Sequence, residues 1–395
     1  MFFGCSSLTN VTLGTNTTDV GDSAFAYCSS LTNIFIPASV ASIVPWAFVG
    51  CNNLADFLVA SNNPVYCDVN GVLFDKNQST LISCPGGKSG NYTIPHSVTS
   101  VGGNAFNSCV SLTNITIPNG VTNVGDAAFS GCSGFASANI PDSVSYLGSG
   151  AFANCSSLTN MLIGIGVSSI APSTFQWCGN LAHVSIIGNV TNIQAGAFLG
   201  CSSLANVRLP DSLVTLGDDV FNGCGSLESI TFGNHLTSIG VQAFRYCTKL
   251  TSVTIGSSFT NIGDWAFYLY ANLTAVYFKG NGSIGVGGWA FDAVPNVIFY
   301  YLPGTTNWGS SFAGHPAVLW NPSISTTNAN FGVRNNQFGF NTTGTTNIPI
   351  LVEACTNLAG AWVPLQSATL TNGSFYFSDT QWTNYPGRFY RIRSP

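Results

Sequence analysis

The chain has 395 residues, enough for two domains, and only 6% of them are charged, against about 25% in an ordinary globular protein. The net charge of −5 is thinly spread and forms no basic stripe, which argues against nucleic acid as a partner. With 45% hydrophobic residues in a periodic pattern the chain is not disordered, and no apolar run approaches the roughly 18 residues of a membrane span.

A 23-residue unit, A-F-x-x-C-x-x-L-x-x-I-x-I-P-x-x-V-x-x-I-G, recurs along most of the length. Its phenylalanine falls at Phe2, Phe25, Phe48, Phe106, Phe129, Phe152, Phe175, Phe198, Phe221, Phe244, Phe267 and Phe291. The intervals are 23 residues, except for 58 between Phe48 and Phe106 and 24 before Phe291. Leucine-type residues at set offsets in a fixed period predict a leucine-rich repeat solenoid, mostly β with short turns or helical turns. One unit alone cannot bury enough apolar surface to fold, so stability must come from stacked neighbours. Ten of the 13 cysteines follow the repeat phenylalanine by three residues; Tyr270 and Val294 take that place in the last two units. Stacked about 4.8 Å apart with parallel side chains, these ten read as structural thiols.

Residues 1–51 hold two full units and a partial one. Met1-Phe2-Phe3-Gly4-Cys5 enters in mid-unit, without the V-x-x-I-G half and with no signal peptide in view, so the native protein is expected to extend upstream. In Leu31-Thr32-Asn33-Ile34-Phe35-Ile36-Pro37, strand alternation turns Leu31, Ile34 and Ile36 inward and Asn33 and Phe35 outward. Val40 and Ile43 make a second inward pair, and Ala47-Phe48 begins a tight turn or one-turn helix.

An insert occupies residues 60–95. Tyr66–Phe74 and Thr80–Pro85 read as a β-hairpin bulging from the solenoid and turning near Lys76-Asn77-Gln78. Cys67 and Cys84 could pair across it. The repeat and this Y-x-x-x-x-G-V-L-F…L-I-x-x-P segment together resemble the bacterial surface leucine-rich repeat family typified by BspA, over about residues 1–320. The resemblance implies a secreted or cell-surface protein that binds other proteins or matrix, with no catalytic residues and no cofactor to carry over. Cys67 and Cys84 depart from the family pattern, which more often has a polar residue and an aromatic there.

Residues 98–294 are the regular array, and 295–320 read as its C-terminal cap. Ile298-Phe299-Tyr300-Tyr301 is expected as the last strand, with Trp308, Phe312 and Trp320 covering the end of the core. A Pro/Ser/Thr linker follows at 321–327. Residues 328–395 change pattern: Phe338–Phe340, Ile350–Ala354, Ala361–Leu365, Ser374–Phe377 and Arg388–Arg393 are short alternating strands of a small antiparallel β-sandwich. Their E-A-x-x-N-L-x-x-x-W-x-P-L and F-Y-R-I-R segments are similar to C-terminal modules of secreted bacterial proteins. Arg388, Arg391 and Arg393 read as a solvated strand face, with contact to an anionic surface as the alternative.

Catalytic constellations are weak. Gly280-x-Gly282-x-x-Gly285 lacks a surrounding βαβ unit and a following acidic residue. His96, His183, His235 and His315 fall in different units without ligand spacing, so no metal is expected. Asp142, Asp211, Asp218 and Asp219 sit at turns, where aspartate caps backbone.

The surface with functional promise is the outward, concave face of the strands. Asn33, Phe35, Leu58, Asn114, Thr116, Leu162, His183, Asn206, Arg208 and Tyr277 are the candidate ligand-binding residues. The plainer reading is a satisfied ladder of Asn and Thr; the functional one takes Phe35, Leu58, Leu162, Arg208 and Tyr277 as anchors, because aromatic and arginine side chains dominate binding surfaces. A neutral, Asn-rich groove suits a polypeptide strand or a glycan. The alternative to a binding module is a structural protein that self-associates end to end through the N-terminal edge of the solenoid.

Overall fold

The computed structural model describes residues 2–268 and 272–393. They fall into two compact units, Met1–Leu273 with Ile284–Asn296, and Thr274–Ser283 with Val297–Pro395.

In the first unit each repeat makes one coil with a longer strand, a two-residue strand and a turn. The I-x-I segment forms the longer strand because alternation hides one row of side chains and exposes the other. Ser137–Ile140, Asn160–Ile163, His183–Ile186 and Asn206–Arg208 pair in parallel, with residues 23 apart in register, as Asn160 with His183. Asn10–Thr12, Asn33–Ile36 and Asp56–Val59 form an equivalent sheet before the insert. The V-x-x-I segment supplies a second row, from Ser169–Ile170 to Gly285–Val286.

The third side is the phenylalanine turn, which is a tight turn rather than a helical one. Residues two before and two after the phenylalanine have positive φ, as at Asn104 (57°) and Ser108 (60°) or Ser173 (56°) and Trp177 (60°). Its amides point along the stack: Asn104, Phe106 and Ser108 donate N–H bonds to the carbonyls of Asp126, Ala128 and Ser130 at 2.9, 2.7 and 2.8 Å. The phenylalanine rings stack, 4.9 Å apart at Phe129–Phe152 and 5.3 Å at Phe175–Phe198.

The cysteine has a definite task here. Its S–H donates to the carbonyl of the phenylalanine one coil earlier, at 3.0 Å for Cys132 to Phe106 and 3.1 Å for Cys155 to Phe129. Burial pushes the Cys51 thiol up to about 12 and holds those of Cys132, Cys155, Cys201 and Cys224 well above the ordinary range. The sulfur stays protonated and donates to a buried acceptor, as a structural thiol should. All 13 cysteines are thiols, Cys67 and Cys84 included. Cys67 donates to the Asp75 carbonyl at 3.3 Å, while Cys84 is buried beside Cys109, so the pair does not bridge the insert. Tyr270 lies outside the described residues; Val294 is buried in the cysteine position.

The insert is a three-stranded meander. Tyr66–Val69 pairs antiparallel with Val72–Asp75 across Asn70-Gly71, and Val72–Asp75 with Thr80–Ser83. It does not merely bulge: Thr80–Ser83 pairs in parallel with Ser100–Val101 and so enters the short-strand row. Asn63, fully buried at its entrance, donates to the carbonyls of Pro37 and Val40 and accepts from the amides of Val65 and Tyr66, which satisfies all it can offer.

In the second unit Ala275–Phe278 pairs with Ile298–Tyr301, which is not a last strand, since His315–Leu319 adds beyond it. Trp308 and Phe312 pack on Phe278 at 5.1 and 5.5 Å, and Phe312 packs on Phe299 at 5.0 Å. Ser323–Ser325, inside the expected linker, pairs with Asn341–Thr343. Two antiparallel sheets follow. One holds Gln337–Thr343, Ser374–Asp379 and Gly332–Arg334; the other orders Val363–Thr369, Pro349–Cys355 and Phe389–Arg393. Phe340, Ile350, Val352 and Phe377 share one apolar cluster between them.

Candidate functional site

The outward residues of the longer strands form rows at the coil spacing. In one row Asn160, His183 and Asn206 stand side by side; in the next, Leu162, Ser185 and Arg208. Asn139 adjoins Leu162. Beneath them Met161 and Val184 are buried, so the rows ride on a fixed apolar floor. Two open depressions share Ser137 and Asn139. One, of about 310 Å³, is lined by Asn114, Thr116 and Asn119; the other, of about 320 Å³, by Asn160, Leu162, His183, Ser185, Asn206 and Arg208.

Six of the ten candidates therefore meet on one continuous stretch of surface. Asn33, Phe35 and Leu58 are exposed on the separate sheet before the insert, with Phe35 opposite Leu58. Tyr277 is a correction. It is only 6% exposed, stacks at 5.0 Å on Tyr300, meets Trp320 at 6.4 Å and joins the apolar cluster of Phe340 and Ile350. Burial pushes its hydroxyl above the usual phenol range. It is a core residue of the second unit and cannot be a surface anchor. The strand period placed it outward correctly; nothing local reveals that residues from beyond position 320 cover that side.

The polar residues of the face do not form the expected Asn ladder. Asn33 and Asn160 donate to the neighbouring hydroxyls of Thr32 and Thr159, which immediately precede their strands. Those threonines donate to carbonyls one coil back, at Thr9 and Ala136. The hydroxyl column is thus committed to the backbone, while the side chains of the rows remain exposed, apart from the half-buried Ser185. Arg208 is the sole Lys or Arg in a strand of the coils among the described residues. Ser137, Asn139 and Ser185 complete the lining; their strand positions match those of the candidates, which is the signal that finds them.

Among the described residues no three His, Cys, Asp or Glu groups are arranged to hold a metal ion. No helix of the described residues is long and apolar enough to cross a membrane. Three arginines of the second unit are engaged internally: Arg388 pairs with Asp379 at 2.6 Å, and Arg391 and Arg393 both grip Glu353 at 2.7 Å.

The profile of the BspA type leucine-rich repeat region matches six copies, over residues 1–69, 86–204 and 168–298. None of the curated proteins compared matches the chain. Among solved structures, a leucine-rich repeat protein from Eubacterium ventriosum is 28% identical with a TM-score of 0.53, over 62% of this chain and 78% of that one. One from Bacteroides ovatus is 22% identical with a TM-score of 0.50, over 76% of this chain and 78% of that one, a likeness of fold alone.

Proposed function

The chain belongs to the BspA-type leucine-rich repeat family, and we propose that it is a non-enzymatic binding or adhesion module displayed outside a bacterial cell. Membership supports a binding role in general. The observation that carries the finer reading is the continuous exposed stretch from Asn114 to Arg208, nearly uncharged and studded by the exposed Leu162 and Arg208. A surface of exposed amides and hydroxyls with isolated apolar and cationic anchors suits an extended polypeptide or a glycan.

The test is a binding screen on arrayed matrix proteins and glycans, followed by Leu162→Ala with Arg208→Ala against whatever is retained. At least a tenfold loss of affinity is expected. Unchanged binding by the double variant would remove the face from consideration. Light scattering on the same preparation should show single, monodisperse particles; filaments would instead favour end-to-end assembly.

A further inference from the structure

Five aromatic residues of the phenylalanine turns hold backbone conformations that aromatic residues rarely adopt. Tyr27, Trp177 and Tyr246 stand two residues after the repeat phenylalanine with φ of 61°, 60° and 62°. Trp265 and Trp289 stand two residues before it with φ of 53° and 54°. A bulky residue in this region is an outlier. Other coils fill the same places with residues that suit it, such as Gly131, Gly200 and Gly223.

These rings do not fill a core. Tyr27, Trp177, Tyr246 and Trp289 are 53%, 55%, 51% and 62% exposed. Left-handed backbone and a large apolar surface in water are two separate burdens on stability, and they coincide in four coils. Backbone strain that persists at two recurring places of one turn points to use rather than to packing.

The geometry states the use. Tyr27 and Trp177 lie against the glycines of the following coil, so that a methyl group at Gly50 or Gly200 would overlap the ring. The backbone covers one side of each ring, and half of its surface stays open. Trp265 and Trp289 stack at 5.5 Å with planes 10° apart. Coils repeat about every 4.8 Å, which is close to the rise of one sugar residue in an extended chain, and Trp177 and Tyr246 are three coils apart, about 14 Å. Of the exposed charged residues beside these positions Asp22, Asp264 and Asp292 are acidic and Lys249 is basic, while Arg245 is spent over the Tyr246 ring at 4.7 Å. Carboxylates repel an anionic polymer and accept hydrogen bonds from hydroxyls.

We propose that the phenylalanine-turn edge of the coils is a stacking surface for a neutral polysaccharide. The axial C–H face of a pyranose carries partial positive charge and meets the negative face of the aromatic ring. This surface lies on a different side of the coil from the strand face and does not depend on it.

The test is affinity electrophoresis of the intact chain through gels containing hydroxyethylcellulose, galactomannan or, as the anionic counterpart, alginate. The variant is Trp177→Gly with Tyr246→Gly and Trp289→Gly. Glycine accepts positive φ, so the coils should keep their fold, which a circular-dichroism melt verifies. Retardation by at least one neutral polysaccharide is expected for the wild type, with most of it lost in the triple variant. Arg208→Ala, on the strand face, should be retarded like the wild type. Free migration of the wild type in both neutral gels would overturn the proposal. So would equal retardation of the triple variant, loss of retardation in Arg208→Ala, or retardation by alginate alone.

Discussion

In the coils, polar groups that leave water find neutral partners: amide to carbonyl along the turn, thiol to the phenylalanine carbonyl, threonine hydroxyl to the carbonyl one coil back. In the C-terminal sheets they find charged ones. Glu353, 3% exposed, is held by Arg391 and Arg393, with Arg391 over the Trp362 ring at 4.4 Å. Asp379 receives Arg388 and, at 2.8 Å, the Tyr390 hydroxyl. The difference follows from repetition. A charge placed at one position of a repeated unit recurs at every coil, and like charges about 4.8 Å apart repel strongly where water is scarce. A neutral thiol can be stacked without limit. A sheet built once can afford an ion pair, and the low charge of the whole chain is mostly a property of its repeats.

The largest test of this contrast is Phe129→Ala. Removing a fully buried ring from the stacked column should lower the stability of the coils by about 3–5 kcal/mol. Calorimetry should show the coil transition falling while the transition of the second unit holds. If both fell together, the two regions would be one cooperative body.

Glu353→Gln comes next and should act on the other transition. Burial by itself would raise the Glu353 carboxyl, but the hydrogen bonds of Arg393 and Arg391 outweigh it and hold it below the ordinary carboxylate value. Because both arginines are half exposed, the loss should be about 1–3 kcal/mol. The sign is that of a lowered acid: this stability is complete above the ordinary carboxylate value, about 4.3, and disappears as pH falls through the depressed one. Acid melts of the wild type should therefore approach those of Glu353→Gln.

The thiols give the opposite slope. Cys51 stays protonated in the folded coil up to about 12, while the unfolded chain ionises near 9. Its contribution is complete below 9 and is lost as pH rises toward 12, by up to about 1.4 kcal/mol per pH unit for each such thiol. The coil transition should be level near pH 8 and fall above 9; a level profile beyond pH 10 would mean that the column is open to water. The smallest effect expected is that of Cys155→Val, about 1 kcal/mol. The Phe129 carbonyl loses the S–H donor but keeps the Cys132 amide at 3.2 Å. Urea unfolding would measure it, and a loss above about 3 kcal/mol would mean that the thiol does more than donate.

The coil was legible because its information is local and repeated. The phenylalanine spacing predicted a column, and each ring stands on the next; strand alternation predicted the outward rows. The turn at Lys76–Gln78 was legible, but the turn at Asn70-Gly71 that makes the expected hairpin a meander was not read, nor was its entry into the parallel row, which depends on Ser100–Val101. The left-handed residues of the turn were hidden because Gly, Ser, Asn, Gln, Tyr and Trp all occupy the same places. Tyr277 and Arg388 were misjudged for one common reason. Their partners, Phe340 and Ile350 in one case and Asp379 in the other, lie on strands whose pairing no local pattern announces. Arg391 and Arg393, by contrast, do lie on a solvated strand face while gripping Glu353.

Each coil offers the next the same ring, thiol and row of amides that it received from the one before. At the level of the gene this makes length a cheap variable. Unequal recombination between neighbouring units adds or deletes a whole coil and needs no new interface, because the new neighbour fits as the old one did. A slip that is not a whole 23-residue unit has to be taken up within a coil, as the one extra residue between Phe267 and Phe291 is, since those two rings still stack at 5.1 Å. Copy number and surface chemistry can therefore evolve separately, the first by duplication and the second by point substitution on a coil whose inside does not change.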